Sequence, residues 1–161
     1  MLESKYLKHN MDIIQKLRQM PPLMNFDDHA ISSLMSLSKL RKYKTGEMII
    51  GEGSYDSWIY FLITGRVKIV KGEEVVATIK RSGDIFGEMS VITGSPRSAS
   101  AYATEDTTCL ATDVSYMDRL AGTDKLTVGY ILYRLFSQIL AERLRITTEA
   151  LAKERKLDFI D

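Results

Sequence analysis

The chain has one cysteine, Cys109, among 161 residues. An intramolecular disulfide is therefore excluded, and nothing in the cysteine usage points to an oxidising compartment. Long apolar runs are also missing, since no stretch approaches the roughly 20 residues that a membrane-spanning helix requires. The opening MLESKYLKHNMD lacks the apolar core of a secretory signal. Neither sign of charge is in surplus, because 22 lysines and arginines meet 21 aspartates and glutamates, leaving a net charge of +1. A dedicated nucleic-acid binder usually carries a marked basic excess, so that class is disfavoured. The two histidines, His9 and His29, show no metal-ligand spacing and are read as surface or helix-end residues. With one thiol, they supply too few ligands for haem or an iron–sulfur cluster. No GxxxxGK[ST] loop cradles a triphosphate and no nucleophile elbow marks a hydrolase. The expectation is a soluble cytoplasmic protein with no metal, no membrane association and no catalytic residues.

What is present has ordinary globular proportions, 45% hydrophobic and 27% charged. A chain of this length buries roughly 68–70% of its unfolded surface, enough for a core without staples. Of ten glycines, eight fall between positions 46 and 94, while residues 1–45 have none. Glycine opens backbone conformations that tight turns need, so the chain divides into helix-prone ends and a turn-rich middle. Leu7, Met11, Ile14 and Leu17 recur at helical spacing and predict a helix that stops at Pro21-Pro22. A second helix is predicted from Asp27 or Asp28 to about Ser38, with Ile31, Leu34 and Met35 on one face.

Short β-prone runs follow at 59–63, 67–70, 75–79, 98–103 and 109–114. Thr64-Gly65-Arg66 and Lys71-Gly72-Glu73-Glu74 read as hairpin turns. Cys109 and the methionines Met35, Met48 and Met89 fall in apolar patterns and read as core filling. The Lys39-Arg41-Lys42-Lys44 cluster reads as a solvated face. The fold class is α+β: an antiparallel β-barrel or jelly roll of about eight strands, flanked by N-terminal helices and a long C-terminal helix. Boundaries are expected at 1–22 for the N-terminal helix, 23–122 for the β-roll and 123–161 for the C-terminal helix. That last helix would extend on the order of 50 Å, further than a domain of this size is wide. Leu140, Leu144, Thr147, Thr148 and Leu151 form a stripe that outruns the barrel. A second copy would cover it, which predicts a homodimer. The alternative is a helix folded back on its own barrel at Gly129.

The chemistry concentrates in 83–100, GDIFGEMSVITGSPRSAS. A glycine at Gly87 lets backbone approach a ligand, one short helix follows, and a proline-stiffened loop delivers Arg97 and Ser98 into a strand. The start of the short helix exposes N–H groups, and a guanidinium can grip two phosphate oxygens. Glu88 would repel a bare phosphate unless the ligand also brings a hydroxyl that needs an acceptor, as a ribose phosphate does. A structural ion pair between Glu88 and Arg97 is the other reading.

FGEMSVITGSPRSASA closely resembles the phosphate-binding cassette of the cyclic nucleotide-binding domain family, and 46–66, GEMIIGEGSYDSWIYFLITGR, looks like that family's early strands. The likeness spans about 22–151. It implies that Glu88 accepts the ribose 2′-hydroxyl and Arg97 neutralises the cyclic phosphate. Gly87, Met89, Ala99, Ser90 and Ser98 would complete the pocket, with Ile69 and Phe86 in the same ligand-binding set. Within the family the chain resembles the sensory half of bacterial catabolite activator-type proteins. By that likeness Arg143 would reach toward the phosphate, and Thr147 and Thr148 would meet the purine, one from the opposite subunit. Those threonines are otherwise register-setting or solvent-facing. The winged helix-turn-helix of that group has no counterpart in 157–161, so DNA binding by this chain alone is not expected. The resemblance implies a non-catalytic sensor of cyclic AMP, ahead of cyclic GMP, that signals to an unknown effector protein by moving its C-terminal helix. The alternatives are an interaction module of the same fold that no longer responds to nucleotide and, behind it, an enzyme.

Overall fold

The computed structural model describes residues 1–7 and 10–158 of the chain; His9 and 159–161 lie outside the described residues. In order along the chain are β1 (Leu2–Glu3), α1 (Met11–Arg18), a 3-10 turn at Pro21–Leu23, α2 (Asp28–Ser36), β2 (Ser38–Tyr43), β3 (Met48–Ile50), β4 (Trp58–Thr64), β5 (Val67–Lys71) and β6 (Glu74–Ile79). There follow β7 (Ile85–Phe86), α3 (Glu88–Thr93), β8 (Ser100–Ala103), β9 (Thr107–Asp113), a second 3-10 turn at Val114–Arg119 and α4 (Gly122–Asp158). The strands make two antiparallel sheets, one of order β1-β2-β9-β4-β7 and one of order β3-β8-β5-β6. The result is the expected antiparallel roll with flanking helices, built as a sandwich of nine described strands.

The first sheet is covered on both faces, which explains the unbroken apolar run of β4. Ile59 and Phe61 of β4, with Leu110 of β9, pack against α1, α2 and α4. Tyr60 and Leu62, with Cys109 and Ala111, point the other way into the space between the sheets. Cys109 is fully buried as expected, and burial pushes its thiol pKa up to about 12. Asn10 caps α1 by accepting from the Ile13 N–H, and Asp27 caps α2 by accepting from Ala30 N–H at 2.8 Å. Helix α2 closes two residues before the expected Ser38, which opens β2.

Several sequence expectations change. Thr64-Gly65-Arg66 is not a hairpin: β4 and β5 belong to different sheets, and the turn is the corner between them. Gly65 has φ +100°, and a Cβ there would lie 2.4 Å from Thr107 Oγ1, so the corner closes only without a side chain. Lys71–Glu74 does turn β5 into β6 as expected. Met48 and Met89 are 53% and 51% exposed, whereas Met35 is core. The basic cluster is not a freely solvated face, since Lys39, Arg41 and Lys42 lie within β2 and the first two are largely covered. Helix α4 runs 37 residues without a break at Gly129, about 55 Å at 1.5 Å per residue.

Candidate functional site

Strand β7 ends against β4, and the chain turns at Gly87 into α3. Gly87 sits at φ +84°, where a Cβ would lie 2.9 Å from Arg97 Nη1. Glycine is required there twice over, for the left-handed backbone and for the approach of the arginine. Its neighbour Phe86 stacks on Tyr60 with ring centroids 5.2 Å apart, which fixes the floor from which α3 starts. Burial raises the Tyr60 hydroxyl pKa, so this floor stays neutral.

Arg97 arrives from the loop after α3 and is held through its backbone as well as its side chain. Its N–H donates to Ser54 O at 2.8 Å and its carbonyl accepts from Gly53 N–H at 2.8 Å. The side chain is 2% exposed. Nη1 donates to Gly87 O at 2.6 Å and to Ser90 Oγ at 2.9 Å, Nε donates to Asp56 Oδ2 at 3.2 Å, and Nη2 donates to Asp56 Oδ1 and Trp58 O. A guanidinium has five N–H donors, so every one is in use. Glu88, 1% exposed at the first turn of α3, takes its cation from α4: Arg143 Nη1 pairs with Glu88 Oε1, and Arg143 Nη2 donates to Ile85 O at 2.7 Å. The two carboxylates of the site are thus divided between two arginines, and Glu88 and Arg97 are not the ion pair that sequence left open.

Between these groups and the inner face of the second sheet lies a pocket with about 180 Å³ of space open to water. Ten of the twelve expected residues line it: Ile69, Phe86, Gly87, Glu88, Met89, Ser90, Arg97, Ser98, Ala99 and Arg143. Thr147 and Thr148 do not; both are exposed on α4 beyond Arg143. Sequence reasoning missed Ile50, Ala77, Ile79 and Ala101 of the wall, which only strand alternation could have suggested. It also missed Asp56 and the Trp58 carbonyl, for which the local sequence holds no signal. The arrangement offers an arginine, a carboxylate and two serine hydroxyls at one end and an aliphatic surface at the other, which suits a small anionic molecule with an apolar ring system. Among the described residues no cluster of three or more potential metal ligands occurs, and no helix is long and apolar enough to cross a membrane.

Known proteins share this fold. The family model of the cyclic nucleotide-binding domain matches residues 40–124. A cAMP-dependent protein kinase regulatory subunit of Hypocrea atroviridis is 30% identical over 122 residues, covering 76% of this chain and 26% of that protein. The cyclic AMP receptor protein of Thermus thermophilus is 35% identical over 81 residues, 48% of this chain and 38% of the relative. The chain therefore spans well under half of these relatives. Among solved structures, a cyclic nucleotide-binding domain from Methylobacillus flagellatus superposes with TM-score 0.74 at 21% identity, covering 89% and 83% of the two chains. The Thermus thermophilus catabolite activator protein superposes with TM-score 0.65 at 26% identity, covering 82% and 62%.

Proposed function

Because the chain belongs to the cyclic nucleotide-binding domain family, we propose that its pocket takes a 3′,5′-cyclic nucleotide and that the protein is a non-catalytic cytoplasmic regulator. The observation that carries this reading is one small, largely apolar pocket with a buried arginine and a buried carboxylate on its cassette side, Arg97 and Glu88. The cyclic phosphate reaches Arg97 by exchange, taking a hydrogen bond that Nη1 now gives to Ser90 Oγ. The freed Ser90 hydroxyl can rotate and donate to the same phosphate, as can Ser98, so the exchange keeps donors and acceptors matched. The ribose 2′-hydroxyl donates to Glu88, whose second oxygen stays with Arg143. The base lies against Ile69, Ala77 and Ile79.

Cyclic AMP is proposed ahead of cyclic GMP, supported by the relatives named for cyclic AMP. Selection of the base is assigned to Thr147 and Thr148, which reach the ligand when α4 moves over the pocket or when a second copy lies alongside. That second copy is supported by α4 itself. Leu126, Tyr130, Tyr133, Leu144 and Leu151 are all exposed, and with Ser137, Leu140 and Thr147 they follow a strict four-three spacing opposite the buried face of Val128, Ile131 and Leu135. Residues 123–161 are thus proposed as dimer seam and signalling element. The β-roll of 23–122 carries the ligand, the N-terminal helix of 1–22 packs behind it, and an effector protein reads the position of α4.

A second reading, an interaction module that no longer responds to nucleotide, draws on one fact: all five N–H groups of Arg97 already have protein acceptors. Titration calorimetry with cyclic AMP and cyclic GMP separates the two. The sensor reading expects saturable binding with a rise in melting temperature. Absence of binding of either nucleotide at millimolar concentration removes it.

A further inference from the structure

We propose that the free edge of β6 is an interface between copies of this chain: two β6 strands pair antiparallel about a two-fold axis and join their four-stranded sheets into one. Among the strands that end the two sheets β6 is the longest, at six residues against two for β1 and β7 and three for β3. It pairs with β5 on one side, and no described segment pairs with it on the other. Exposed strand edges are ordinarily kept short, interrupted by proline, studded with charge or covered by another element. The run Val75-Val76-Ala77-Thr78-Ile79 has neither charge nor proline. Its one irregularity is a bulge opposite Ile69 and Val70, where Val75 and Val76 stand 58% and 59% exposed. A row of unpaired N–H and C=O groups with no charge to repel a neighbour is a template for one more strand.

The charges at the two ends of the strand select a second copy as the occupant. Glu73 and Glu74 lead into β6 and Lys80 and Arg81 follow it, all of them exposed. Glu74 lies opposite Lys71 of β5, but the Lys71 ammonium is spent on Glu52 at 2.7 Å. Among the described residues Glu73, Glu74 and Lys80 make no ion pair, and Arg81 reaches Asp84 only at 3.5 Å. A second copy laid antiparallel puts the acidic start of each strand beside the basic end of the other, at both ends at once. A parallel copy would set like charges together, which is destabilising. A surface complementary to itself in this way makes an isologous contact closed by a two-fold axis. That axis stands perpendicular to the sheet, so the inner face of one copy continues as the inner face of the other. Ala77 and Ile79 line the pocket from that face, and the two pockets lie side by side along one joined sheet.

The contact is separate from the α4 seam and weaker. Two six-residue edges bury well under the roughly 1,200 Å² of a stable interface. A dissociation constant on the order of 100 μM to 1 mM is expected, so the edge joins seam dimers only at high concentration.

The test uses the full chain without nucleotide and with Leu144→Glu, which takes the seam out of play. In that background Glu73→Lys with Glu74→Lys makes both strand ends basic, and Lys80→Glu with Arg81→Glu makes both acidic. Each protein alone is expected to sediment as a monomer at about 1 mM, because like charges meet at both ends. An equimolar mixture of the two is expected to form a dimer in which the amides of 74–79 gain protection from hydrogen exchange. A mixture that fails to associate, one that associates with 74–79 unprotected, or either protein pairing with itself as strongly as with the other overturns the proposal. The unaltered protein gives a second reading that needs no variant. Its solvent-side amides in 74–79 should exchange about twofold or more slower at about 1 mM than at about 10 μM, since at least half of the edges are then paired. Rates independent of concentration overturn the proposal, whatever the state of the α4 seam.

Discussion

Arg97 spends all five of its N–H donors on Asp56, Trp58, Gly87 and Ser90, so it is at once a candidate ligand contact and a tie between three segments of chain. Its replacement should therefore register twice. Arg97→Ala is expected to weaken cyclic nucleotide binding at least tenfold by calorimetry. It should also lower stability by about 1–3 kcal/mol in urea unfolding, because two backbone carbonyls lose their donor. Unchanged affinity would move the phosphate site elsewhere. Arg97, Glu88 and Gly87 were legible in the sequence because the cassette is contiguous, and each residue's chemistry is readable within ten positions. Asp56 was not. It meets Arg97 across 41 residues, and only the closure of the two sheets brings the loop before β4 to the guanidinium.

At the scale of elements, the contact that joins α4 to the cassette is Arg143 with Glu88 and the Ile85 carbonyl. Glu88 is almost wholly buried and Arg143 is 40% exposed, so the arginine dissipates a charge that the site cannot hydrate. Arg143→Ala is expected to cost about 1–3 kcal/mol in urea unfolding, and adding Glu88→Gln should recover part of that loss by removing the stranded charge. A double variant no more stable than Arg143→Ala alone would show that the pair is not what anchors the helix. The elements divide cleanly by what local sequence encodes. Helices α1, α2 and α4 and strands β4, β5 and β6 follow periodicity and were expected. The corner at Gly65 was not, since Thr-Gly-Arg carries the same turn signal for a hairpin and for a crossing between sheets. Strands β1 and β2 were also missed. Two residues have no period to read, and a strand with cations at Lys39, Arg41 and Lys42 looks solvated until Glu3 and Trp58 are brought beside it.

For the whole molecule, α4 has two apolar faces. One closes the domain core through Val128, Ile131, Leu132 and Leu135, and the other projects Leu126, Tyr130, Tyr133, Leu144 and Leu151 outward. The four-three spacing of the second face was partly legible as the stripe from Leu140 onward. Its extension back to Leu126 was masked, because apolar residues at both sets of positions blur any single periodicity. Leu144→Glu places like charges opposite each other in the proposed seam and is expected to convert a dimer to a monomer in sedimentation velocity. A wild-type protein that sediments as a monomer at tens of micromolar would dispose of the seam.

The same helix has a mechanical property. Its grip on the domain ends near Arg143, and from there to the last turn is about 22 Å of rod at 1.5 Å per residue. In the proposed switch the Arg143 contact acts as a fulcrum: a tilt of roughly 10° there, too small to disturb the core, sweeps the far end sideways by about 4 Å, some three-quarters of the pitch of a helical turn. A sub-ångström adjustment at the cassette would thus be geared up into a step large enough for another protein to sense.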